Sequence, residues 1–279
     1  MATEHSPIVF SHANGFPAGT YGVLFAHWRA AGHEVLALPK VGHDPRYAVT
    51  GNWPHIARQL LDFVDQAAPG RRVHFVGHSL GGYLSLMAAC RRPELAASVV
   101  MLDSPVLAGW RAHSVQVAKA TRLIGRISPG KVSKARRQHW PSAEAALEHF
   151  AKKAVFARWD PRVLADYIAH GTEPDPAGGV RLAFHRDVET RFYNTLPHHL
   201  GELVHRHPPR CPVAFIGGTQ SAEVRQVGLA ATRAITRGQI EWIVGTHLVP
   251  MEQPAAVADA VLARLAVKCQ QVLSGNQET

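Results

Sequence analysis

Cysteine is scarce: Cys90, Cys211 and Cys269 are three in 279 residues, an odd number and widely separated. No Cys-x-x-Cys pair and no zinc-ligand spacing occurs, so neither a disulfide scaffold nor a metal site is expected, and no cofactor is called for. Long apolar runs are missing too; none approaches the ~20 residues that cross a bilayer, and no membrane partner is expected. The opening residues, Met1-Ala2-Thr3-Glu4-His5-Ser6-Pro7, hold no basic segment followed by an apolar core. A secretory leader is therefore not expected, and the cytoplasm is the default compartment. There is no internal repeat.

Acidic residues are outnumbered, with 21 Asp and Glu against 30 Lys and Arg, giving a formal charge of +9. That excess would suit a nucleic acid, yet no recognised nucleic-acid module accompanies it. Many of the cations fall between Arg111 and Arg137, at Lys119, Arg122, Arg126, Lys131, Lys134, Arg136 and Arg137. They are spaced as on the outer face of helices, so a solvated surface is the expectation and no nucleic-acid partner is foreseen.

What is present is an alternation of strand-like and helix-like runs, the pattern of an α/β fold with a mostly parallel central sheet flanked by helices. Residues 7–11, 33–38, 73–76, 97–103, 213–217 and 239–244 read as buried strands. Tyr21 to Ala31 and Trp53 to Ala67 read as helices, the latter from Ile56, Leu60, Leu61 and Val64 at helical spacing. Between Pro105 and Pro209 the pattern changes: helical segments at Val115 to Arg126, Ala143 to Ala157, Pro161 to His170 and Glu189 to Leu196 follow one another with little strand signal. This reads as an inserted helical cap, dividing the chain into a first core part (1–104), a cap (105–209) and a second core part (210–279). A chain of this length can bury a sizeable core.

One motif carries chemistry. Gly77-His78-Ser79-Leu80-Gly81 follows an apolar strand and precedes the helical run from Tyr83 to Ala89. Gly-x-Ser-x-Gly in that context is a nucleophile elbow, in which a serine pushed out at a sharp turn needs neighbours without side chains. Serine needs a base in hydrogen-bond reach. Among 18 histidines His247 is the candidate, because it lies between the last strand and the last helix, on the sheet edge where the elbow also lies. Directly after the first strand, His12-Ala13-Asn14-Gly15 forms a turn. It can offer the backbone N–H of Asn14, beside that of Leu80, as an oxyanion hole, with His12 in a structural role.

These elements resemble the α/β-hydrolase fold family: the His12-Ala13-Asn14-Gly15 loop, the Gly77 to Gly82 elbow, and Gly245-x-His247-x-x-Pro250-x-Glu252-x-Pro254 occur in the family's order and span nearly the whole chain. The resemblance implies a Ser-His-acid hydrolase in which Ser79 attacks an acyl carbon and His247 moves the proton. Two departures stand out. With one strand before the oxyanion loop, the amino-terminal antiparallel hairpin common in the family is not expected, and the loop after the strand that follows the cap, Gly217-Gly218-Thr219-Gln220-Ser221-Ala222-Glu223, lacks the usual Asp. Glu223 is the nearest carboxylate there. Asp103, at the end of the strand after the elbow helix, is the rival, in a position that some capped relatives resembling haloalkane dehalogenases use. Asp103 is preferred by a small margin, against the alternative that it merely caps a strand end.

The serine argues against dehalogenase and epoxide hydrolase chemistry, whose nucleophile in this fold is an Asp. An ester is the first expectation for the acyl substrate. A thioesterase, an amidase, a C–C bond hydrolase and a non-hydrolytic ligand-binding or lyase member remain as alternatives. Cap aromatics such as Trp140, Phe150, Phe156, Trp159, Phe184 and Tyr193 can line an acyl pocket or simply form core. The chain is expected to act as a monomer or homodimer on a small-molecule acyl substrate.

Overall fold

The structure, a computed structural model, describes residues 6–107 and 130–274. Six strands, β1 (Ile8–Ser11), β2 (Val35–Ala37), β3 (Val73–His78), β4 (Ala96–Leu102), β8 (Val213–Gly218) and β9 (Ile240–Ile243), pair in the order β2-β1-β3-β4-β8-β9. Every pairing in this sheet is parallel. A parallel sheet is covered on both faces, which explains why β4 is buried at all seven positions and reads as one apolar run.

Alternation along the strands sends residues to two cores. Val9, Phe75, Val99, Met101 and Phe215 meet Ile56 and Leu60 of α2 (Pro54–Ala67) and Leu84 and Met87 of α3 (Leu80–Arg91). Ile8, Phe10, Val76, Val100, Leu102 and Ile216 meet Leu24, Phe25 and Trp28 of α1 (Gly22–Ala30) and Val257 and Val261 of the last helix, Pro254–Ser274. Each fully buried side chain of this size contributes about 1.5–3 kcal/mol. Trp53, in a left-handed conformation, precedes Pro54 at the start of α2, where proline's missing N–H costs nothing.

Between β4 and β8 the described residues hold helices at Gly130–Ala135, Ala143–Ala151, Pro161–Gly171, Arg186–Asn194 and Leu200–Arg206. They also hold a small antiparallel sheet that the sequence pattern does not suggest: β5 (His139–Trp140), β6 (Thr172–Pro174) and β7 (Val180–Leu182), in the order β5-β7-β6. Strands of two or three residues are too short to display a period of two, and Pro174 counts against a strand unless that strand is an edge, as β6 is. The Pro-Asp-Pro-Ala-Gly-Gly segment is the turn joining β6 to β7, closed by Asp175 N–H to Gly179 O at 3.0 Å, with Gly178 and Gly179 at positive φ.

The expected helix from Val115 to Arg126, and most of the basic stretch, lie outside the described residues. Within them Lys134 and Arg137 are exposed, but Arg136 departs from the solvated-surface expectation. Its guanidinium pairs with the buried Glu189 at 3.1 Å and lies 5.8 Å from the ring centroid of Phe150. The aromatics of this segment pack on one another, with centroid separations of 4.8 Å for Phe150 and Phe156 and 4.6 Å for Phe156 and Trp159. They form core continuous with that under α1.

The described part of this segment sits on the loops that leave the carboxyl ends of the main strands. Asn14 Nδ2 donates to Glu189 O (3.0 Å), Lys40 Nζ to Ala183 O (3.0 Å), and Asp160 N–H to Met251 O (2.9 Å). Among the described residues no helix is long and apolar enough to cross a membrane.

Candidate active site

Register places the candidate residues on one edge. Ser11 pairs with Gly77, His78 with Leu102, Leu102 with Ile216, and Gly218 with Ile243, so the chain leaves each strand at nearly the same level. Backbone bonds carry the ladder one residue further, from Ser79 N–H to Leu102 O (2.9 Å), Asp103 N–H to Ile216 O (2.8 Å) and Thr219 N–H to Ile243 O (2.9 Å). The order also reverses here: β2 lies on one side of β1 and β3 on the other, which makes the crevice above β1 and β3 the topological switch point.

Ser79 stands between β3 and α3 with φ 53° and ψ −114°, a conformation a side chain adopts only where its surroundings enforce it. The enforcement comes from close approach. A Cβ on Gly77 would lie 2.2 Å from the carbonyl of Gly81, and one on Gly81 only 1.9 Å from Ser11 O. Both glycines therefore let the elbow, the start of α3 and the end of β1 interlock. Gly81→Ala is expected to lose about 2–4 kcal/mol of stability, read by urea unfolding, because the neighbour it strikes is backbone and cannot swing aside.

Nε2 of His247 lies 2.9 Å from Ser79 Oγ, and Nδ1 of the same ring lies 2.7 Å from Asp103 Oδ1. Of the two candidate carboxylates the structure brings Asp103 to the histidine. Glu223 comes no nearer than 3.9 Å, is half exposed, and opens the short helix Ala222–Val227. Asp103 is fully buried at φ 43° with both oxygens engaged: Oδ2 accepts from Gly218 N–H (2.7 Å), and Oδ1 accepts from Ser221 Oγ–H (2.7 Å) as well as from the imidazole. A buried charge is tolerable only when paired and hydrogen-bonded in this way.

Electrostatics at His247 follow from these neighbours. Burial pushes its pKa down, but the hydrogen bond to Asp103 and the charges of Asp103 and Glu223 outweigh it and leave the ring above its ordinary value. His12 is the opposite case. Buried, it is driven down to about 4, and its neutral ring donates from Nδ1 to Ala13 O (2.8 Å) while Nε2 accepts from Val41 N–H (3.0 Å).

Asn14 and Gly15 form the centre of a turn closed by Phe16 N–H to Ala13 O at 3.2 Å, with Gly15 at φ 84°. A positive φ at the third position is the type II arrangement that favours glycine. Leu80 is the first residue of α3, where N–H groups have no partner inside the helix and the dipole is positive.

Three contributors hold roles that the sequence alone does not assign. Ser221 holds Asp103 from across the sheet, although a serine three residues before Val224 signals only the helix cap that it also provides, at 3.2 Å. Glu252 fixes the His247 loop, accepting from Thr246 N–H (2.7 Å) and from Thr246 Oγ1–H (2.6 Å). Ser104 Oγ lies 2.9 Å from the Ser79 carbonyl. Among the described residues no group of His, Cys, Asp and Glu is placed to hold a metal ion.

Against known proteins, residues 8–260 match the alpha/beta hydrolase family. The chain is 35% identical over 119 residues to the "Probable esterase PIR7A" of Oryza sativa subsp. indica, covering 42% of this chain and 45% of that one. It is 27% identical over 133 residues to the monoglyceride lipase of Mus musculus, covering 46% and 44%. Both matches thus span about half the length of those relatives. Among solved structures, the thioesterase domain from the curacin biosynthetic pathway superposes with a TM-score of 0.69 at 19% identity, over 93% of this chain and 91% of that one. The parallel sheet, the elbow between its third strand and third helix, and the match over nearly the full length make this chain a member of the alpha/beta hydrolase family.

Proposed function

We propose that the protein is a serine hydrolase acting on a carboxylic ester through an acyl-enzyme. The observation that carries this reading is the continuous set of hydrogen bonds from Ser79 Oγ to His247 to Asp103, at 2.9 and 2.7 Å. His247 Nε2 takes the proton as Ser79 Oγ bonds to the acyl carbon, then returns it to the departing alcohol. Water repeats the steps in reverse and frees the acid. Asp103 orients the imidazole, keeps its proton on Nδ1 in the resting state and stabilises the imidazolium. The backbone N–H groups of Asn14 and Leu80 receive the oxyanion. The described residues between β4 and β8 cover this edge and set which acyl group enters. An ester is favoured over a thioester because the curated relatives are named as an esterase and a monoglyceride lipase.

A panel of p-nitrophenyl esters of increasing chain length, run beside acyl thioesters, tests the reading. Turnover of at least one ester, lost in Ser79→Ala, is the expected result; ester turnover that survives Ser79→Ala overturns it.

The base must be neutral to accept a proton, so activity is present above the pKa of His247 and is lost as pH falls through it. Because that pKa is raised, the acid limb of kcat/KM is expected above about 6.5, the ordinary imidazole value. Glu223→Gln removes one of the charges that raise it, so the limb should move to lower pH with the plateau unchanged. The half-exposed position of Glu223 keeps that shift small, and high salt shrinks it further. A pH profile of the two proteins at low ionic strength checks this.

A further inference from the structure

Two buried polar side chains beneath the site are not used by the chemistry above. Tyr21 and His78 are both completely buried, Tyr21 at the start of α1 and His78 as the last residue of β3. Ala13 N–H donates to Tyr21 Oη at 3.1 Å. Tyr21 Oη lies 2.8 Å from His78 Nδ1, and His78 Nε2 lies 2.8 Å from the backbone carbonyl of His247.

The two ends fix the direction of this chain, because an amide N–H only donates and a carbonyl only accepts. Tyr21 therefore accepts from Ala13 and gives its own proton to Nδ1 of His78, whose proton is on Nε2 and points at His247 O. Every member must be in place for the next to be oriented. Without the tyrosine hydroxyl, Ala13 N–H loses its acceptor and His78 Nδ1 its donor, so the ring is held only by the His247 carbonyl and the tie between the two loops is cut.

The connections are to the loops that matter. Ala13 precedes Asn14, whose N–H is assigned to the oxyanion, and His247 is the assigned base. His78 and Ser79 are consecutive, so one residue holds the backbone of His247 while the next faces its ring at 2.9 Å. We infer that Tyr21 and His78 are positioning residues, a directed hydrogen-bond relay that sets the base loop and the oxyanion loop at a fixed offset about Ser79. This rests on the role proposed for Ser79.

Burial, with the nearby His247 adding to it, pushes His78 down to about 3, so the relay stays neutral and intact across the working range of the base. A buried polar pair has to be satisfied in full, and two apolar residues would fill the same space without that demand.

The test compares rates of fluorophosphonate labelling, and kcat and KM on a p-nitrophenyl ester, for wild type, Tyr21→Phe and Phe25→Leu. Phe25 packs against Tyr21 and Phe10 but takes no part in the relay, so it reports the cost of simply disturbing this core. Tyr21→Phe is expected to be labelled about 10- to 100-fold more slowly, with kcat falling in proportion and KM within about threefold, as misplacement of catalytic groups predicts. Phe25→Leu should stay within about twofold at a comparable loss of Tm. Labelling of Tyr21→Phe at the wild-type rate overturns the inference.

Nitrogen-15 spectra of the wild type supply a second arm that needs no variant to fold. His78 should keep its proton on Nε2 from about pH 5 to about pH 9, and a proton on Nδ1 overturns the relay. A wild type that takes no label overturns the role of Ser79 instead, while the spectrum still reports on the relay.

Discussion

Replacing Ser79 by Ala is expected to lower kcat on any ester the protein turns over by about 10⁴-fold or more and to abolish fluorophosphonate labelling, while leaving Tm within a few degrees of wild type. The size of the effect follows from the step removed. With no Oγ there is no acyl-enzyme, and His247 is left to activate a water that the site does not position. What survives is the contribution of the oxyanion donors, which alone retain some acceleration over solution. Stability should change little because only a partly exposed hydroxyl is lost, and the backbone strain at φ 53° stays in place whichever of the two side chains is present. A substitution that unfolded the protein would lose activity for an uninformative reason. Circular dichroism at matched concentration separates the two outcomes.

The second large effect is expected at Asp103. Asn has the same shape and would keep the acceptance from either Gly218 N–H or Ser221 Oγ–H, but it turns an NH₂ toward a donor that Asp103 now receives. If the amide presents its NH₂ to His247 Nδ1, the imidazole must accept there and carry its proton on Nε2, where it faces Ser79 and can no longer take a proton from it. A drop in kcat of about 10⁴-fold is the expected result for an orienting carboxylate held in this way. Asp103→Asn also removes a charge that raises the pKa of His247, so the acid limb of the residual activity should move to lower pH. Glu223→Ala serves as the control. At 3.9 Å and half exposed, Glu223 contributes field and no orientation, so kcat should stay within about threefold. Equal losses in the two variants would mean that the carboxylate assignment is wrong.

Local patterns account for what could be read from the chain alone. The elbow is legible because its demands are met within five residues: Gly77 and Gly81 are where a Cβ would strike backbone, and Ser79 lies between a buried strand and a buried helix. His247 is legible from position, in a loop between β9 and the following helices. The choice between Asp103 and Glu223 is not, because what decides it is register. Leu102 pairs with Ile216, and that pairing brings Gly218 N–H and the Ser221 hydroxyl, more than 100 residues away in sequence, to the two oxygens of Asp103. A strand-end Asp and a helix-opening Glu look equally ordinary until that register is known.

The same reason hides the Tyr21 and His78 relay, whose bonds span 57 and 169 positions. His78 occupies the variable position of the motif, where nothing in the spacing asks for a histidine. The small β5-β7-β6 sheet escaped through brevity. Arg136 departs from the solvated-surface pattern because helical spacing shows which residues share a face and leaves open whether a buried acid such as Glu189 waits opposite that face.

Activation of Ser79 by His247, oriented by Asp103, makes this serine singularly reactive toward an electrophile. Mass spectrometry of the intact protein after exposure to a fluorophosphonate, followed by peptide mapping, tests it most directly. One adduct per chain is expected, on Ser79, absent in Ser79→Ala and formed at a rate that falls with pH below the pKa of His247. An unmodified wild type, or an adduct on any other residue, would contradict it.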